Sequence, residues 1–144
     1  MACVHNGRTF VVARIPMSTL SLARTVVLSV LCVVVALFVL GMVSGAAGWI
    51  APWIGLGEGG QSRLAWDLAW TILGGVAATA FAARYAPNAP YLHGGVVWAV
   101  IAAASVYAAW DLGSDFPFWF VTVLLIALPF QAAGIWLGAR YRPR

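Results

Sequence analysis

The chain has no lysine, four acidic residues, two histidines and two cysteines among its 144 positions. Charged residues make up 8%, against the roughly 25% usual for a soluble domain. Eight arginines and four acids are too few to cover the surface of a water-soluble domain of this size, which excludes an ordinary cytosolic enzyme. A hydrophobic content of 63% excludes a disordered tail. The shortage of ligand-type side chains is equally restrictive. His5 and His93 are the only histidines, so no haem or metal site within one chain, and no cofactor, is expected. Cys3 and Cys32 lie far apart and form neither a CxxC pair nor an obvious disulfide; Cys32 reads as a small apolar filler. There is no Ser/His/Asp set in reach, no HExxH, no phosphate loop and no pair of carboxylates at one depth. Catalysis is therefore not expected.

What the chain does have is long charge-free runs. No charge lies in the 33 residues between Arg24 and Glu58, the 26 between Arg84 and Asp111, or the 24 between Asp115 and Arg140. Between Arg63 and Arg84 the single charge is Asp67. A hydrocarbon layer of about 30 Å needs about 20 mostly apolar helical residues, so each run supplies one span and none has room for two. Lipid offers backbone groups no partner, and the alternation of barrel strands is absent, so the spans are helices. The expectation is an all-α, integral membrane four-helix bundle, with helices near 20–45, 64–85, 91–110 and 118–139. Residues 1–17 read as a cytoplasmic tail, either disordered or a start-site artefact, since Met17 is a natural start; residues 18–144 form one domain. The apolar stretch from Val26 to Val43 exceeds the about 7–15 residues of a signal-peptide core, so the first span is expected to be retained.

Arginine positions set the orientation. Arg8, Arg14 and Arg24 precede helix 1, Arg84 flanks the Ala86–Pro90 turn, and Arg140, Arg142 and Arg144 close the chain. Seven of eight arginines then share one side, with Arg63 on the other, and the positive-inside rule makes the rich side cytoplasmic. Both termini are expected inside. The sequence pI of about 9.7 follows from this bias and does not indicate nucleic-acid binding.

Eight tryptophans, several near expected helix ends, match the aromatic belt at the headgroup level. Ala51–Leu56 reads as a short interfacial piece, with Gly55, Gly57, Gly59 and Gly60 leading into helix 2. Arg84-Tyr85 and Arg140-Tyr141 are cytoplasmic anchors, each followed two residues on by a proline. Hydrophobicity does not drive helices together in lipid, so close backbone approach must. Small residues four apart mark faces that meet inside the bundle or between protomers: Gly41 and Gly45, Gly74 and Ala78, Gly95 with Ala99, and Gly134 and Gly138.

Four polar residues within or near the spans are candidates for function. Asp67 lies about one turn inside helix 2, where a carboxylate is costly unless paired, wet or protonated. At that depth it can also reach headgroup water or Arg63, which is the plainer reading. Thr71 continues its face. His93 beside the proline turn could titrate, pair with a carboxylate or cap the hairpin. Pro129 and Gln131 could line a polar cavity, but such an amide more often binds helix to helix. Ser29 and Ser105 fit either reading.

Gly74-Gly75-Val76-Ala77-Ala78, Ala83-Arg84 and Leu92-His93-Gly94 together resemble a GG-xxA…R…LHG hairpin of small bacterial four-helix integral membrane proteins of unknown function. The resemblance covers about 25 residues and implies a bacterial inner-membrane location and no activity. The chain departs from small multidrug transporters, which carry a glutamate in the first span. The leading expectation is an inner-membrane accessory subunit, scaffold or regulator acting through helix contacts, with the lipid bilayer and a homo-oligomer or membrane-protein partner. The alternative is an oligomeric transporter or channel protomer using Asp67, Thr71 and Gln131.

Overall fold

The computed structural model describes residues 19–111 and 113–141; the tail of residues 1–17, Arg142 and Arg144 lie outside them. The described residues form four long helices: α1 (Thr19–Ile50), α2 (Gln61–Tyr85), α3 (Pro90–Asp111) and α4 (Phe118–Arg140). All four are long and apolar enough to cross a membrane. The fold is all-α.

Local chemistry fixes the ends. A short 3-10 turn, Ala51–Ile54, follows α1 and stops at Gly55, whose φ of 78° lies in the left-handed region. Gly59 and Gly60 then lead into α2. At its far end α2 stops because Pro87 forces Ala86 into extended geometry, with φ −54° and ψ 133°. Pro90 opens α3 at the one position where a missing N–H does no harm. Pro117 precedes α4, and the helix continues through Pro129.

Helix α1 departs most from the sequence expectation, running to Ile50 rather than to about residue 45. Its glycine-rich end is held from outside: the Trp66 indole N–H donates to the Ala47 carbonyl at 3.1 Å, and the Arg63 guanidinium lies over Gly48.

Helix α2 is the hub. It packs against α1, α3 and α4, whereas α1 touches α3 only lightly. The α1–α2 register is antiparallel, with Ala47 beside Trp66, Leu40 beside Gly74 and Cys32 beside Ala82. The centre is built from small side chains: Ala36, Ala78 and Ala82 are fully buried with Val97, and Val33, Leu37, Leu40 and Phe81 close round them. The large apolar side chains point the other way. Val27, Phe38, Ile126 and Phe130 are each at least 60% exposed. A core of alanine inside a shell of valine, leucine and phenylalanine inverts the usual order of a water-soluble domain.

The register has one further consequence. Cys32 opposite Ala82 puts Ser29 level with Tyr85, where α2 ends. The segment Thr19–Leu28 therefore runs about 15 Å beyond the level at which α2 ends, at about 1.5 Å per residue.

Candidate functional site

Asp67 lies near the start of α2 and is paired within its own helix. Arg63 Nε donates to both carboxylate oxygens, at 3.1 and 2.9 Å. The arginine side chain is 18% exposed and the aspartate 43%, so the pair sits at the bundle's edge. Thr71 continues the same face, and its hydroxyl donates back to the Asp67 carbonyl at 2.8 Å. Such a bond satisfies the hydroxyl without calling on another helix.

Gln131 occupies a different place. It is fully buried between α4 and α2 and presses on Gly75. A Cβ on Gly75 would stand 2.6 Å from the Gln131 amide carbon, so any larger residue there has to push the glutamine side chain aside. Neither amide atom, Oε1 nor Nε2, has a hydrogen-bond partner among the described residues. The backbone of Gln131 is engaged instead: the Thr79 hydroxyl lies 2.8 Å from its carbonyl, and 3.0 Å from those of Gly75 and Val76. One hydroxyl proton serves one acceptor at a time, and the shortest contact joins α2 to α4. Three residues before Gln131, the Trp98 indole N–H donates to the Leu128 carbonyl at 2.9 Å and joins α3 to α4. Asp67 and Gln131 are not brought together. The glycine under Gln131 is eight residues along α2 from Asp67, about 12 Å by helical rise.

His93 lies at the hairpin end, nine-tenths buried. Its Nδ1 is 3.2 Å from the Ala89 carbonyl, and because a carbonyl only accepts, Nδ1 carries the proton. The same carbonyl receives the Leu92 and His93 backbone N–H groups at 3.0 and 3.3 Å. Ala89 itself has a φ of 43°, unusual for a residue with a Cβ. The imidazole thus helps to hold a strained corner immediately before Pro90.

The small residues divide into two groups. Gly134 and Gly138 lie against the α2 backbone at Val76 and Ala80, where any side chain would collide. Gly74 receives Leu40 and Ser44 of α1, and Ala78 is in the central cluster. Gly41 and Gly45 are exposed, and a Cβ on either would meet nothing within 4 Å. On α3 the contact within the chain is made by the glycine next to Gly95. Gly94 meets Ile135 and Ala83, while Gly95, about 100° round the helix, meets nothing within 4 Å. The anchors gather at the hairpin end: Arg84 stacks on Tyr85 at 5.7 Å, and Arg140 lies 5.1 Å over Trp136 and 6.0 Å from Tyr141.

Thr79 and Trp98 are contact residues that sequence reasoning passed over, and Gly75 and Gly94 entered it only with the hairpin resemblance. One signal was available: Thr79 lies four residues after Gly75, on one helical face. Among the described residues no three His, Cys, Asp or Glu side chains gather as metal ligands. No protein-family model, curated protein or solved structure matches the chain.

Proposed function

We propose that the chain is a bacterial inner-membrane protein crossing the bilayer four times, with both termini in the cytoplasm, and working through helix contacts as an accessory subunit, scaffold or regulator. The inverted distribution of side chains supports the membrane placement, since lipid is the solvent in which exposed Val27, Phe38 and Phe130 carry no penalty. Seven of eight arginines on one side support the orientation.

The state of Asp67 carries the choice between a contact protein and a transporter. A carboxylate lining a passage must be free to meet the cargo, whereas this one is held by Arg63 at 2.9 Å on the bundle's edge. Gln131, the other polar residue a passage would need, faces Gly75 and is fully buried. The partner is a second copy or another membrane protein, and the open α1 face at Gly41 and Gly45 is where close approach is free of obstruction.

The mass of the protein extracted in a mild detergent tests the reading. A complex larger than one protomer, reduced by Gly45→Ile with the helix content unchanged, is the expected result. A lone protomer indifferent to that substitution overturns it. So does solute flux in reconstituted vesicles that is lost in Asp67→Asn.

A further inference from the structure

The connection between α1 and α2 encloses a cavity of about 400 Å³, walled by residues from Pro52 to Glu58 and closed by Arg63 in the first turn of α2. That volume falls within the about 300–1,000 Å³ typical of small-molecule sites. Polar atoms form a large part of its lining. Two residues of opposite charge, Glu58 and Arg63, line this one space and do not pair across it. Among the described residues the ion pair that forms is Arg63 with Asp67, and Asp67 does not line the cavity.

Both charged groups have bonding capacity left. Arg63 gives its Nε proton to Asp67, and the N–H groups of its two terminal nitrogens have no acceptor among the described residues. Its side chain is only 18% exposed, so those protons are largely withdrawn from bulk water and gain from an acceptor seated in the cavity. The Glu58 carboxylate has no ion-pair or hydrogen-bond partner among the described residues. An anion alone would meet Arg63 but face the glutamate uncompensated, and a cation alone would face the arginine. A zwitterion satisfies both, its anion on the guanidinium and its cation on the carboxylate.

The position of the cavity names the source of that zwitterion. Trp49 and Trp53, 82% and 90% exposed, flank it in sequence, and Trp66 lies at the same end of the bundle. Indoles collect at the headgroup level of a bilayer, where the abundant zwitterion is a phospholipid head. Phosphoethanolamine carries both required groups: its phosphate oxygens accept from the guanidinium, and its primary ammonium donates to the carboxylate. Phosphocholine has the charges but no N–H to give, and phosphoglycerol has no cation. We propose that this cavity seats the phosphoethanolamine head of a phospholipid, with the phosphate on Arg63 and the ammonium on Glu58. The proposal rests on the membrane placement above and is independent of the helix contacts.

Flotation of the full-length protein with phosphatidylcholine vesicles in alkaline carbonate separates the two readings. A protein that fails to float overturns the membrane placement; one that floats leaves the site alone under test. Native mass spectrometry in detergent then compares phosphatidylethanolamine, phosphatidylcholine and phosphatidylglycerol with identical acyl chains. The ethanolamine lipid is expected to bind saturably and about threefold tighter than either of the others, the size an exposed ion pair allows. Glu58 is exposed, so Glu58→Gln should remove the preference over phosphatidylcholine with helix content unchanged. Glu58→Arg gives the cavity two cations and should turn the preference towards phosphatidylglycerol. Arg63→Lys keeps a charge beside Asp67 but loses the planar fork, so the ethanolamine and choline lipids should both bind more weakly. Equal binding of the three lipids overturns the proposal, as does an ethanolamine preference that survives Glu58→Gln. Displacement of the lipid by soluble glycerophosphoethanolamine at equal concentration overturns the lipid assignment in favour of a free zwitterion.

Discussion

Gln131→Met offers the sharpest check on the reading of the bundle interior. The glutamine amide is fully buried, and both its polar atoms lack a partner among the described residues. Leaving a buried polar group unsatisfied costs about 1–3 kcal/mol in protein mutational data. Methionine has nearly the same length and flexibility and carries no hydrogen-bonding demand, so it fills the space beside Gly75. The variant should therefore be more stable than the parent by about 1–2 kcal/mol, after allowing for imperfect packing. Equilibrium unfolding in mixed micelles, followed by helix content, measures this directly. A companion cycle tests the geometry. Gly75→Ala puts a Cβ 2.6 Å from the amide carbon and should cost about 1–3 kcal/mol, whereas combining it with Gln131→Ala removes the collision. The double variant should then be more stable than the sum of the single changes. A loss of more than about 1 kcal/mol in Gln131→Met would refute the reasoning, because only an amide that is already hydrogen-bonded is worth that much in place.

Other substitutions probe the remaining contacts. Gly138→Ala forces a methyl group into the Ala80 backbone and should destabilise by about 2 kcal/mol or more, while Gly41→Ala, with nothing within 4 Å, should stay within about 0.5 kcal/mol; thermal unfolding in detergent separates them. Ala89→Gly relieves a φ of 43° and should raise stability by about 0.5–1 kcal/mol; a decrease would show that the corner is not strained. Asp67→Asn breaks a pair whose aspartate is 43% exposed, so the loss should stay below about 1 kcal/mol in the same assay.

Charge gaps made the helices legible because a charge inside a span is costly wherever it points. The ends of α2, α3 and α4 accordingly fall within three residues of those read from the sequence. Faces were far less legible. In a water-soluble helix the apolar stripe shows which side is inside, but these helices are apolar all round and carry no such stripe. Small-residue spacing is the substitute signal, and it is coarse. Within the chain, Gly134 and Gly138 meet α2 whereas Gly41, Gly45 and Gly95 meet nothing within 4 Å, and the spacing alone does not separate the two groups. The true end of α1 was hidden for a related reason. Gly45 and Gly48 look like a helix stop until Trp66 and Arg63 are seen lying across that turn, and those partners belong to another helix.

The polar side chains in these helices share a habit that bears on function. Trp66, Thr79 and Trp98 each give a proton to a backbone carbonyl of a neighbouring helix, and the Cys32 thiol lies 3.6 Å from the Ala82 carbonyl in the same manner. A carbonyl that already accepts within its helix has a second lone pair, so these stitches cost the helix nothing, and each adds about 0.6–2 kcal/mol in lipid. They are unevenly shared. Two of them, with Gly134 and Gly138 pressed into the α2 backbone, join α4 to α2 and α3, whereas α1, which packs Leu40 and Ser44 on Gly74, is hydrogen-bonded to α2 by one indole and one weak thiol. It also has an open glycine face, an apolar groove along α3 and a segment reaching past the level at which α2 ends. Helices α2, α3 and α4 are thus stitched to one another through α4, and α1 is the helix with the fewest hydrogen bonds to α4 and α3.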